Sequence, residues 1–358
     1  MEGYIKAIGG EHWFTLEMFK KNNDNFKDLN AVLLSGGQSA IRFIIEDINF
    51  SSSDFILMPS YLCPSILYPL IEKNIKYEFY NVRSDLSIDL DNLRHKISKY
   101  SPKAIFFIDY FGFYNNKETI DFMNQCKLEG IKIIEDAVQM FWFNKKKFIG
   151  NYVFNSYRKF LPIDGSIVLC KNVNNYCWSN DDYYEIINTA RMNKSLYNNY
   201  NIGKEDDFLE LFRLAEEEYY NRDMIIGLDN NSKYMLSKVD EAYISRKRVE
   251  NYKYVYNKLI GTDKVKILYN TNQISDNVPL GIPILVKDRN KIRKFLASKN
   301  IFCPVHWNIS EINFFGNSFY DNKYLSENIL MIPIDHRYDF EDLNRVIANI
   351  SLALTVNI

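Results

Sequence analysis

The chain is expected to be an α/β protein, with a large domain built on a mostly parallel sheet covered by helices on both faces and a smaller C-terminal α/β domain. Three observations lead there. Short apolar runs alternate with helical patterns through the first half of its 358 residues. That length exceeds a single domain of roughly 150 residues. A polar, acidic helical stretch then separates the first alternation from a second, shorter one. No internal repeat at solenoid periods interrupts this rhythm. The domains are placed at residues 1–235 and 236–358.

Six runs read as strands: Ala31 to Leu34, Phe55 to Met58, Tyr77 to Tyr80, Ala104 to Ile108, Ile131 to Ile134 and Ser166 to Cys170. Each is short, β-rich and apolar, as expected of strands buried on both faces. Between two of them, Lys117 to Leu128 places Ile120, Met123 and Leu128 on one side of a helix that stops at Gly130, a favoured residue just past a helix end. Strands joined by such crossovers pair in parallel, and ligands bind at their carboxyl ends. From about Asn174 to Asn231, Asp206, Asp207, Glu210, Glu216, Glu217 and Glu218 make a solvated helical face. A long helix follows at about Lys233 to Leu259. Strands at Pro283 to Val286 and Ile329 to Ile334 then alternate with helices at Asn290 to Lys299 and Phe340 to Leu354.

Composition excludes several function classes. Apolar residues make up 47% of the chain and aromatics 15%, enough for a sizeable core. The formal net charge of −1 and the lack of dense Lys/Arg argue against a nucleic-acid partner. The run Lys145, Lys146, Lys147 beside Gly150 reads as a solvated turn. Five cysteines (Cys63, Cys126, Cys170, Cys177, Cys303), odd in number and without Cys-x-x-Cys spacing, suggest neither a disulfide framework nor a zinc site, and fit a reducing cytoplasm. No apolar run approaches the ~20 residues that span a bilayer, and the N-terminus has no signal-like pattern. A cytoplasmic protein without membrane insertion is expected.

Three features fall where strands end. Ser35-Gly36-Gly37-Gln38-Ser39 joins a strand to a helix, so unpaired backbone N–H groups and the helix dipole would face an anion, though a tight turn also explains the glycines. Nucleotide-loop spacings are absent, which leaves a single phosphate group as the better ligand. Asp136 ends an apolar strand, where a carboxylate is costly unless it meets a cation or caps a helix. Lys159 lies among Tyr157, Phe160, Leu161 and Pro162 beside Arg158. Burial and like charge favour a neutral, nucleophilic amine, unless the side chain reaches to water. Together the three suggest a cofactor site.

These residues resemble the DegT/DnrJ/EryC1/StrS family of pyridoxal-phosphate (PLP) sugar aminotransferases, with markers in order across nearly the whole chain. Ser35 to Ala40 looks like the phosphate turn, and DFILMPSYLCPS at Asp54 to Ser65 like the Pro-Ser-aromatic segment. IEDAVQ at Ile134 to Gln139 is the most specific match. Gly150 precedes Asn155-Ser156-Tyr157-Arg158-Lys159, similar to the lysine run, and Asp164-Gly165-Ser166 stands where Gly-Glu-Gly-Gly is usual. Arg246 to Tyr252, Pro304-Val305-His306-Trp307 and Ile332-Pro333-Ile334-Asp335 resemble later blocks.

The resemblance implies the type I fold of PLP-dependent transferases and transfer of an amino group, from glutamate, to a keto sugar nucleotide in surface polysaccharide synthesis. It assigns Lys159 to the Schiff base, Asp136 to the pyridinium nitrogen, Gln139 to the ring hydroxyl, and Gly37 and Gln38 to the phosphate. A small keto or phosphorylated acceptor, or a catalytically silent protein on this fold, are the alternatives. Retention of Lys159 favours aminotransfer over the dehydration run by relatives with histidine there. The ring-stacking aromatic falls at Cys63, so Tyr61 or another residue stacks on the ring instead, or the Cys63 sulfur packs on it. Phe154 stands where a phosphate-binding serine sits five residues before the lysine, leaving Ser156 or Asn155 to substitute, with Arg158 adding charge. The resemblance also implies a homodimer with shared sites, completed near Asn231. His306, Trp307 and Arg337 are candidates to face the substrate.

Overall fold

The computed structural model describes residues 5–20, 25–26, 30–142, 147–173, 176, 182–274, 277–309 and 319–355. Lys145, Lys146 and Cys177 lie outside them. In chain order the strands are β1 (Ile8–Gly9), β2 (Val32–Leu34), β3 (Phe55–Pro59), β4 (Lys76–Tyr80), β5 (Ala104–Ile108), β6 (Lys132–Asp136), β7 (Tyr152–Phe154), β8 (Ser166–Leu169), β9 (Lys266–Ile267), β10 (Ile282–Leu285), β11 (Ile301–Phe302) and β12 (Ile329–Ile332).

The central sheet has the order β2-β8-β7-β6-β5-β3-β4. From β7 to β4 every neighbour is parallel, and β8 runs against both β2 and β7. The carboxyl ends of β2, β6 and β7 therefore share one edge with the entry to β8, where loops and helix starts converge. All five residues of β5 are buried, as a strand covered on both faces requires.

The predicted strands and the helix Lys117–Leu128 form, the helix capped by the Asn116 side chain accepting from the Thr119 N–H (2.9 Å). Two expectations are corrected. β7 is absent from the strands that the sequence predicts, because three residues after Gly150 carry too little periodic signal. The long helix expected from Lys233 to Leu259 is two, Asn230–Lys238 and Glu241–Leu259. Val239 turns extended between them, and Asp240 caps the second by accepting from the Tyr243 N–H (3.0 Å), an N-terminus signal present in the sequence.

The acidic stretch folds as two mutually packed helices, Asp182–Tyr200 and Asp206–Tyr220, around a small cluster of Tyr183, Tyr184, Ile187, Ala215 and Tyr219. Beyond them, β9, β10 and β12 make an antiparallel sheet packed by the helices Arg289–Ala297 and Tyr320–Asn328, with Phe340–Thr355 packed on Arg289–Ala297 and on Glu241–Leu259. The first strand, β1, pairs in parallel with β11 and carries the segment after it toward the edge of the central sheet. No helix among the described residues is long and apolar enough to cross a membrane.

Candidate active site

A cavity of about 480 Å³ opens at that edge. Asp136 is the last residue of β6 and is only 4% exposed. One oxygen accepts from the Val138 backbone N–H (2.9 Å), and no cation pairs with it among the described residues. Burial raises its pKa to about 7, against the smaller opposing pulls of that N–H and of the Lys159 charge.

Lys159 closes a 3-10 turn, Tyr157–Lys159, that follows β7. The turn is pinned where Tyr157 donates its N–H to the Gly165 carbonyl (2.9 Å) and its hydroxyl to the Trp142 carbonyl (2.9 Å). Gly165 needs to be glycine: its φ is +141°, and a Cβ there would stand 3.0 Å from Leu236 and 3.1 Å from Leu228. The Lys159 amine is held below the usual lysine range, first by burial and then by the neighbouring Arg158 guanidinium. Both conditions for a neutral nucleophile are met by the surroundings themselves.

At the β2 end, the helix Gly37–Ile48 begins at the cavity wall. Its first turn is closed by the Ala40 N–H to the Gly36 carbonyl (3.0 Å), which leaves the N–H groups of Gly37 and Gln38 outside the helical ladder. The Gln38 amide nitrogen is buried and unpartnered. Gly37 lies beside Phe154: a Cβ there would meet the ring at 3.9 Å, an ordinary contact. Phe154 is fully buried and offers no hydroxyl; Ser156 lies on the wall two residues later.

His306, Trp307 and Arg337 also line the cavity. Burial, then the Lys159 charge, pushes His306 down to about 3, so its imidazole is neutral. Arg337 is committed to Asp335 through a fork (2.6 and 2.9 Å) and lies 4.0 Å over the Trp13 ring. It shapes the wall more than it offers a free charge.

Of the residues singled out in the sequence, Gly37, Gln38, Cys63, Asp136, Gln139, Ser156, Lys159, His306, Trp307 and Arg337 line this one cavity. Three do not. Tyr61 is fully buried behind the wall, donating its hydroxyl to the His306 carbonyl (2.6 Å) and accepting from the Trp307 N–H (2.8 Å). It therefore braces the His306-Trp307 segment, and Cys63 holds the wall position. Asn155 is spent on structure, accepting from the Ile167 N–H (2.8 Å) and donating to the Trp142 carbonyl (3.2 Å). Asn231 is exposed in the first turn of Asn230–Lys238, away from this chain's own cavity wall.

Sequence reasoning missed Glu11, His12, Glu216, Tyr219 and Arg293, all on the wall. His12 is brought in by the β1–β11 pairing, and its ring nitrogen lies 3.1 Å from the Lys159 carbonyl oxygen. The Gly9-Gly10 pair, both at positive φ, is the local signal that could have pointed to that segment. Glu216 and Tyr219 belong to the stretch read as a solvated face, and no local pattern shows which side of it meets the cavity.

The chain matches no family model and no curated protein sequence. Solved structures do match it. Spr1654 from Streptococcus pneumoniae, described as a sugar aminotransferase and solved in its PLP form, is 13% identical, covers 97% of this chain and 98% of its own, and has a TM-score of 0.69. PseC from Helicobacter pylori, an aminotransferase of pseudoaminic acid biosynthesis, is 16% identical over 98% of this chain and 99% of its own, with a TM-score of 0.65. DesI, solved in the presence of its TDP-sugar product, is 11% identical over 91% and 81%, with a TM-score of 0.66. With its mostly parallel sheet and the site edge placed as above, the chain has the fold of these aminotransferases, the type I fold of PLP-dependent transferases.

Proposed function

We propose that the chain is a PLP-dependent aminotransferase that moves an amino group, from glutamate, to a keto sugar nucleotide for surface polysaccharide synthesis. One observation carries the cofactor reading: a lysine with a depressed pKa and an aspartate without a cation line the same cavity. The structural neighbours, among them sugar aminotransferases and one solved with a TDP-sugar product, support the acceptor class.

The residues fit the cofactor. Asp136 supplies the anion that a protonated pyridine nitrogen needs. The Gln139 carbonyl oxygen is held by the Phe111 N–H (2.6 Å), which leaves its amide N–H2 for the ring hydroxyl. On this reading the Gly37 and Gln38 N–H groups would hold the phosphate, and Cys63, on the same lining, would pack against the ring. When bound, PLP supplies an electron sink for the carbon that loses its proton. Lys159 tethers the cofactor and, as a neutral amine, takes that proton and returns it. Neutral His306 and Trp307 face the substrate from the cavity lining and help exclude water. Two such chains form a homodimer in the cytoplasm, each cavity completed by Asn231 of the partner subunit.

The test is the absorbance of purified protein with added PLP, before and after borohydride reduction, in wild type and Lys159→Ala. A visible, reducible band present in wild type and lost in the variant supports the reading. Wild type without such a band sinks it. A screen of glutamate with keto sugar nucleotides and small keto acids then separates the acceptor classes.

A further inference from the structure

The phosphate end of the cavity lacks what its strand would supply, because Phe154 puts a buried ring beside Gly37. Two helix-start N–H groups and one serine hydroxyl leave a phosphate dianion without a counter-charge. Arg158 is on the same wall, and it makes no hydrogen bond or ion pair among the described residues. The buried acid near it, Asp164, is already saturated: Arg191 grips it with both guanidinium nitrogens (2.9 and 3.2 Å), and the Tyr183 hydroxyl reaches both oxygens (3.1 and 3.0 Å). Asp164 and Glu11 act on Arg158 only through their charge, and neither forms an ion pair with it among the described residues, so its N–H donors stay available.

Its plane is fixed from the other side. The Arg158 guanidinium carbon lies 4.3 Å over the Tyr219 ring, which holds the side chain without using its N–H donors. The same tyrosine's hydroxyl reaches the phosphate turn, standing 3.0 Å from where a Cβ on Gly36 would be. The buried, unpartnered Gln38 amide is a further donor on that wall. Helix start, amide, phenol and guanidinium thus all line the same cavity.

We infer that Arg158, oriented by Tyr219 of the helix Asp206–Tyr220, binds the cofactor phosphate in place of the missing serine hydroxyl. This rests on the cofactor reading above and deepens it. A planar guanidinium binds phosphate through two parallel N–H donors, so it offsets both the absent hydroxyl and the absent charge. The helical hairpin is then part of the cofactor site rather than a surface addition.

The test compares two ligands, PLP and pyridoxal, which differ only in the phosphate. Both are titrated by absorbance into cofactor-free wild type, Arg158→Gln, Arg158→Lys and Tyr219→Phe, with melting temperature as the check on folding. Removing Arg158 also relieves its repulsion of the Lys159 ammonium, but that acts equally on both ligands and cancels in the ratio. Arg158→Gln is expected to weaken PLP about 30-fold while pyridoxal changes by less than about threefold. Arg158→Lys should recover part of the loss, and Tyr219→Phe should weaken PLP alone about fivefold. Equal weakening of both ligands, or an unchanged PLP affinity in Arg158→Gln with wild type binding PLP normally, overturns the assignment. Wild type that binds neither ligand fails the cofactor reading itself, and this assignment falls with it.

Discussion

Two buried aspartates, Asp136 and Asp164, occupy the same edge of the central sheet and are treated in opposite ways. Asp164 has a bidentate arginine and a tyrosine hydroxyl, and the Arg191 charge holds its pKa below the usual carboxylate range despite burial. Asp136 has one backbone N–H and is raised to about 7. Burial alone does not distinguish them, since both are nearly inaccessible. The difference is whether the protein finishes the electrostatic job. A saturated carboxylate is scaffold; one left short of a cation inside a cavity is a demand that a ligand meets.

The sharpest break in that comparison is on the amine opposite Asp136. Lys159→Ala is expected to lower glutamate-driven turnover by about 10⁴-fold or more, since on the proposed reading it removes both tether and proton carrier. The melting temperature of the cofactor-free variant should not fall, because the amine makes no hydrogen bond among the described residues. A variant that keeps more than a hundredth of wild-type turnover would place the proton transfer elsewhere.

On the scaffold side, Arg191→Ala leaves Asp164 buried with only the Tyr183 hydroxyl. Breaking such a pair destabilises by about 3–5 kcal/mol. Urea unfolding of the cofactor-free protein measures it, and a change under about 1 kcal/mol would show that Asp164 is not saturated in the way its contacts indicate.

Asp136→Asn should move stability the other way. An unfolded aspartate releases its proton near its ordinary value of 3.8, the folded one near 7. The folded state keeps the proton through that window, so the favourable contribution is full below about pH 4 and is lost as pH rises through 7. The separation of about three pH units, at about 1.36 kcal/mol each, bounds the effect near 4 kcal/mol. Cofactor-free Asp136→Asn is therefore more stable than wild type at pH 8 and similar at pH 4, while its PLP affinity falls. Parallel pH–stability curves for the two proteins would contradict the unmet charge.

How much of this was visible in the sequence follows the same division. The rigid side of the site was legible, because Asp136 and Lys159 sit at strand ends whose apolar runs and glycine punctuation are local signals. Arg158 was visible as a neighbouring charge but not as one without a partner, which depends on Asp164 being claimed by a helix that starts at Asp182. Tyr219 and Glu216 were hidden for the same reason: the sequence shows an acidic helix, and only packing decides which side covers the cavity. Asn155 and Tyr61 are the substitutes offered where the chain departs from the family pattern at Phe154 and Cys63, and both turn their polar atoms into the scaffold.

Tyr61 tests the boundary between the two classes most finely. Its hydroxyl bridges the His306 carbonyl and the Trp307 N–H, and it is buried deeply enough that its pKa lies well above the ordinary tyrosine value. It touches nothing in the cavity, so Tyr61→Phe should leave the visible cofactor band and its lysine chemistry unchanged. The variant strands one N–H and one carbonyl, destabilising by about 1–3 kcal/mol. The freed His306-Trp307 segment should raise KM for the acceptor more than it lowers kcat, because the wall that receives substrate loses its brace while the Lys159 side keeps its own. A fall in PLP affinity would instead put Tyr61 in contact with the cofactor and erase the distinction drawn between wall and scaffold.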